Sequence, residues 1–287
     1  MFNIFDKLHD MLKEWVLGGI KANLGSMFLD INNKVGTIAT DVGQTPMGWN
    51  SDVYNFIKNI NDNVIVSIAG LIITAVLCIE LIRMVMENNN MRDGDTFELY
   101  KYLIKAFIAV YLVSHAFEFS MAVFDVAQHL VNKAAGLVGT SASISQGQIE
   151  QMVETLSDKG IMELFLILGE TSLVKLAIQI VSVLITVIVY GRMFEIYVYS
   201  SISSLPFATM GNKEWGQIGT NYIKGLFALG LQGLFLIICL GVYTVLIRTV
   251  QITDIHAGLF GALAYAVLLG VMMFKSGTIA KSVMNAN

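Results

Sequence analysis

Between Asp62 and Glu80 the chain carries no charged side chain, and most of that interval reads VIVSIAGLIITAVLCI. A helix that is apolar on every side has to be wrapped by a large protein core or by lipid. Crossing a hydrocarbon layer about 30 Å thick takes about 20 such residues. The stretch extends to roughly Val64–Val85, and four more resemble it, at roughly Tyr102–Phe124, Thr171–Tyr190, Tyr222–Leu246 and Ala257–Phe274. Charged residues make up only 14% of the chain, against about 25% in a soluble domain. With 55% hydrophobic residues and a mean hydropathy of +0.66, the chain lacks the charge to cover a water-facing surface. The expected fold is all-α, a polytopic transmembrane helical protein with about five spans and an N-terminal amphipathic helix.

Residues 2–28 supply that helix. Phe5, Leu8, Leu12, Trp15, Val16, Ile20, Leu24 and Met27 recur at helical spacing, with Asp6, Lys7, Asp10, Lys13 and Glu14 on the other face. Such a helix lies on a membrane surface, packs on a partner, or packs on its own domain. The charges exclude a secretory signal, which needs about 7–15 continuous apolar residues there, so the first residues are expected to stay in the mature protein. Gly43, Pro46 and Gly48 make Asp41–Asn50 a loop. The chain is therefore divided into an N-terminal region, 1–62, and a transmembrane domain, 63–287, with an extracytoplasmic segment at 119–170. Within that segment an amphipathic stretch runs to Val138 and Gly139–Gly147 is a small-residue loop. Ser145 and Gln148 have capping-box spacing for a short helix ending near Gly160. Cys78 and Cys239 sit inside apolar runs and read as packing residues rather than a disulfide.

Charge asymmetry orients the spans. Lys- and Arg-rich short loops stay cytoplasmic. Arg83, Arg92 and Lys101 follow the first span, Arg192, Lys213 and Lys224 the third, and Lys275 and Lys281 the fifth. The segment between the second and third spans is acidic, with Asp125, Glu150, Glu154, Asp158, Glu163 and Glu170. The N-terminus and residues 119–170 are expected outside and the C-terminus inside, in the plasma (inner) membrane. Lys7, Lys13, Lys21, Lys34 and Lys58 run against this, although acids are interleaved with them.

Polar groups inside the spans include three pairs three residues apart, Glu80 with Arg83, His115 with Glu118, and Arg192 with Glu195, while Lys175 enters the third span alone. Residues at that spacing share a helix face, so each pair is expected to neutralise itself. They serve as interface anchors and helix-to-helix contacts, or as a conducting or proton-relay path. Ser200, Ser201, Ser203, Ser204 and Pro206 interrupt the third helix. This bend, marked by Ser200 and Pro206, is a kink or a re-entrant turn, and its backbone must be buried by protein or face water. In the fifth span Gly258, Ala262, Ala266 and Gly270 form a smooth stripe on which another helix can pack closely, within the subunit or between copies. Gln232, among the glycines of the fourth span, is expected to hydrogen-bond to a neighbouring helix.

Catalytic signatures are missing. The sequence contains no GxxxxGK[ST], HExxH, CxxC or GxSxG, so no nucleotide-hydrolysing or acyl-transfer chemistry has residues to carry it. His9, His115, His129 and His256 are scattered, and no metal or other cofactor is expected. A net charge of −4 excludes a generally basic DNA-binding surface.

The order of features, and above all RMFEIYVYSSISSLPFATMGNKEWGQIGTNYIKGLFALGLQG, resembles the TrbL-type polytopic subunit of type IV secretion and conjugation machines, in its Gram-positive branch. Arg192, Glu195, Pro206, the Gly211–Gly219 loop, Tyr222, Lys224 and Gln232 carry the resemblance. It implies a non-enzymatic plasma-membrane subunit of a DNA- or protein-translocating channel. The implied partners are the lipid bilayer, other secretion-machine subunits including separate ATPases, further copies of the chain, and translocated DNA in transient contact. The alternative is a small-molecule transporter or permease. Two expectations count against it, the lack of internal repeats and of a polar cluster at mid-membrane. A pore-forming lysis protein is disfavoured by the chain's length and loops.

Overall fold

A computed structural model describes residues 2–87, 95–138, 146–212, 214–250 and 254–286. Arg92, Lys213, Ser145 and most of the Gly139–Gly147 loop lie outside the described residues. Among those described, all regular structure is helical. The order is α1 (Phe2–Val42), α2 (Pro46–Trp49), α3 (Ser51–Ile60), a π-helical turn (Asn61–Ile65), α4 (Val66–Glu87), α5 (Asp95–Ser114), α6 (Ala116–Leu137), α7 (Gln146–Glu154), α8 (Ile161–Ser201), α9 (Ser204–Thr209), α10 (Gly216–Ile247) and α11 (Ile255–Val283).

The N-terminal helix is longer than expected. Its buried stripe of Val16, Ile20, Leu24 and Met27 continues through Val35, Ile38 and Val42, so nothing stops the helix near residue 28. It ends where Gly43 and Pro46 break the pattern. The Thr45 side chain accepts from the Gly48 amide at 3.0 Å to open α2. Asn50 accepts from the Asp52 and Val53 amides at 3.1 and 3.0 Å to open α3.

Four helical stretches are long and apolar enough to cross a membrane: Ser51–Met86, Ile161–Ser201, Gly216–Ile247 and Ile255–Val283. A fifth candidate is the pair Phe97–Ser114 and Ala116–Leu137, bent by 70°. The all-α polytopic architecture with four to five spans is therefore as expected, with two differences of detail. The first apolar helix starts at Ser51 rather than near Val64. The second does not run straight to Phe124, because the chain turns at His115.

The chain divides into two compact units. One holds Met1–Val42, Lys133–Val189 and Phe235–Ser276; the other holds Gly43–Asn132, Tyr190–Leu234 and Gly277–Asn287. In the first, α1 and α8 run in the same direction. The Trp15 ring lies 6.5 Å from that of Phe165. Asn23 Nδ2 donates to Ser172 Oγ at 2.9 Å and to Thr171 Oγ1 at 3.3 Å, and Lys34 donates to Thr186. In the second, Phe117, Met121 and Phe124 of α6 pack with Met193, Ile196, Phe207, Tyr222 and Leu226. The α6 helix follows α10 closely: an added Cβ at Gly230 would meet Ala127 Cβ at 2.9 Å. Residues 119–137 thus belong to a helix packed along the fourth apolar stretch. Buried residues fill 56% of the most apolar window of α10, but only 22% of that of α8. Leu173, Leu176, Ile180, Val183, Leu184 and Val187 leave α8 an apolar exposed face suited to lipid.

Candidate functional site

The helix break at Ser200–Pro206 is closed by groups from three other segments. The π turn turns Asn61, 1% exposed, into the break. Its Nδ2 donates to Ser201 O at 3.0 Å and to Ser203 Oγ at 3.2 Å, while Ser204 Oγ donates to Asn61 Oδ1 at 3.4 Å. Tyr222 donates from its hydroxyl to Tyr199 O at 2.9 Å, and the two rings stack with centroids 4.6 Å apart. Tyr197 donates to Pro46 O at 2.5 Å. Pro206 lies in the first turn of α9, where a missing amide costs no helix bond. Ser200 is fully buried, and its hydroxyl has no partner among the described residues. Gly219 passes so close that an added Cβ would lie 2.6 Å from Pro206 O. The break is therefore a dense joint buried by protein, one of the two settings its backbone required.

The three-apart pairs do not neutralise themselves. Glu80 is 3.7 Å from Lys105, Arg83 pairs with Glu214 at 2.5 Å, and Glu118 pairs with Lys58 at 2.7 Å. The His115 ring stacks on Tyr111 with centroids 4.3 Å apart. Glu195 meets Lys281 at 3.2 Å. Arg192 is 5% exposed, and its Nε donates to Leu229 O at 3.3 Å. It occupies space that Gly233 leaves free, since a Cβ there would lie 2.6 Å from Arg192 Nη2. Helical spacing places two charges on one face but does not stop a neighbouring helix from offering the nearer partner.

Gly258, Ala262 and Ala266 are buried and Gly270 is half-buried. A Cβ at Gly270 would stand 3.5 Å from Val181 Cγ1 of α8. The stripe thus faces inward within its unit. Gln232 packs on Gly277, whose Cβ would be 3.2 Å from Nε2.

The sequence reading missed a second polar region. Asp30, Asn33, Lys34 and Thr37 of α1 share a cleft of about 420 Å³ with Ile178, Gln179, Ser182 and Ile185 of α8, Tyr243 of α10, and Ala266 and Leu269 of α11. Ile178–Ile185 is the middle of the third apolar run, and Ala266 is the middle of the fifth. A polar cluster therefore lies beside the middle of two apolar runs. The missed signal was the continuation of the apolar stripe of α1 past residue 28.

The apolar helices, the buried break and the scarcity of soluble surface define a multi-pass α-helical membrane protein. Its sequence places it further. The profile of the family described as "TrbL/VirB6 plasmid conjugal transfer like protein" matches residues 31–204, and the chain belongs to that family. No curated protein and no solved structure matches it. The match covers the cleft face of α1 except Asp30, and the break up to Ser204. It meets the 190–235 stretch that suggested the family only at residues 190–204.

Proposed function

We propose that this protein is a structural subunit of the membrane channel of a conjugative type IV secretion machine, supporting DNA transfer and carrying no catalytic residues of its own. The family match over residues 31–204 is the observation that carries this reading. The chain is oriented with its N-terminus outside and its C-terminus inside, and works beside separate ATPases and further copies of itself. Contact with extracytoplasmic partners falls to the acidic region around α7 and the start of α8, with Glu150, Glu154, Asp158 and Glu163. Its charge suits proteins better than the DNA backbone. Deleting the gene is expected to abolish transfer of the element while the machine's ATPases still hydrolyse ATP. Normal mating frequency in the deletion strain overturns the assignment. One observation favours the small-molecule transporter as a second reading, the polar cleft around Lys34 at mid-span. Substrate-stimulated flux in liposomes holding the purified protein alone would favour it.

A further inference from the structure

We infer that α1 crosses the membrane beside α8, and that the cleft between them is a hydrated cavity at mid-membrane lined by Asp30, Asn33, Lys34 and Thr37 with Gln179 and Ser182. Hydropathy alone does not count α1 among the spans, because its polar residues dilute it. Its position argues otherwise. Trp15 lies by Phe165, Asn23 by Thr171 and Ser172, and Lys34 by Thr186, a constant register along the apolar run of α8. A helix held to a spanning helix over that length lies at the same depth.

Two further observations call for water in the cleft. Lys34 reaches a neutral hydroxyl, that of Thr186, which itself donates to Ser182 O at 2.9 Å. Tyr243 lines the cleft at 3% exposure, and its hydroxyl has no partner among the described residues. A polar cavity of this size holds ordered water where a dry one would leave such groups unsatisfied. The occupant is water, together with any small hydrophilic solute that water admits.

Because α1 and α8 run in the same direction, the turn after α1 emerges on the same side as the C-terminal end of α8, where Tyr197 donates to Pro46 O.

Cysteine scanning with Cys78 and Cys239 replaced tests this in membranes lacking every other machine subunit, so the outcome does not depend on conjugation. Asn23→Cys with Ser172→Cys is expected to form a disulfide on mild oxidation. Met47→Cys, 58% exposed, is expected to label with an impermeant maleimide from the same face as Trp215→Cys, 43% exposed. Asn33→Cys is expected to react with N-ethylmaleimide about tenfold or more faster than the lipid-facing Val187→Cys, because the thiolate forms only where water reaches it. Absence of the disulfide, labelling of Met47→Cys from the face opposite Trp215→Cys, or equal reactivity of Asn33→Cys and Val187→Cys each overturns the inference.

Discussion

The break at Ser200–Pro206 and the cleft beside Lys34 place polar side chains inside an apolar helical protein in opposite ways. At the break, Asn61 serves Ser201, Ser203 and Ser204, and the Tyr199–Tyr222 stack closes one side, with the Ser200 hydroxyl left without a partner among the described residues. In the cleft, Lys34 has one neutral partner, Tyr243 has none among the described residues, and about 420 Å³ remains between the helices. A dense, mutually bonded cluster holds one geometry, because every alternative leaves a donor or acceptor unsatisfied. A roomy one tolerates rearrangement. The break is accordingly read as a fixed joint and the cleft as the adaptable region.

The largest effect expected from this contrast is at the joint. Gly219→Val would set a side chain 2.1 Å from Met210 Cγ and 2.6 Å from Pro206 O, and the second contact is with backbone that cannot rotate away. Overpacking of this kind costs about 1–3 kcal/mol or more. In an unobstructed helix, replacing Gly with Ala gains roughly 0.5–1 kcal/mol, so the sign alone is informative at Gly219→Ala. Thermal unfolding in detergent should show both variants destabilised, valine more than alanine. A Gly219→Ala protein as stable as the parent would show that the break is not tightly packed.

Asn61→Leu and Lys34→Met set the two regions side by side. The first leaves Ser201 O, Ser203 and Ser204 without their shared partner in a buried site, at about 1–3 kcal/mol for each group left unsatisfied. The second leaves only Thr186, which keeps its bond to Ser182 O. Asn61→Leu is expected to lower the unfolding temperature clearly and Lys34→Met to change it little. Similar losses in the two variants would erase the distinction.

Next in size is the small-residue stripe. Ala262 is fully buried and Val267 is 43% exposed, one on the packed face of α11 and one off it. Ala262→Leu is expected to reduce accumulation of the folded protein, and Val267→Leu to be nearly silent, as read by the monodisperse fraction in size-exclusion chromatography. An unaffected Ala262→Leu would show that close approach of the helices there is dispensable.

What the sequence made legible was what lipid dictates. Runs such as 64–79 and 257–274 have no other solvent, and the serine–proline cluster marked a helix break from composition alone. Pairwise contacts were less legible. Nothing in the 61–65 sequence announces the π turn that aims Asn61 at Ser203, because an added residue per turn is settled by packing. The cleft was hidden for a related reason. Asp30, Asn33 and Lys34 lower local hydropathy, so α1 reads as a surface helix until Asn23 and Lys34 are seen against Thr171 and Thr186.

The smallest effect is expected at Glu195, and here the structure reverses what spacing implied. If Glu195 neutralised Arg192 inside the membrane, Glu195→Ala would strand a buried guanidinium and impair transfer far more than Glu150→Ala. Instead Glu195 pairs with Lys281 at 3.2 Å, their side chains 44% and 52% exposed. Glu150 pairs in the same manner with Lys21 at 3.1 Å, the side chains 61% and 54% exposed. Exposed pairs of this kind contribute about 0–1 kcal/mol. Arg192 rests on Leu229 O and the space over Gly233, neither of which Glu195 supplies. Both alanine variants are therefore expected to keep near-parental unfolding temperatures and mating frequencies within a few-fold of each other. Gly233→Ala, which intrudes on the guanidinium, should destabilise the protein more than either. A Glu195→Ala variant crippled while Glu150→Ala and Gly233→Ala remain intact would restore the Arg192–Glu195 pair as the functional contact.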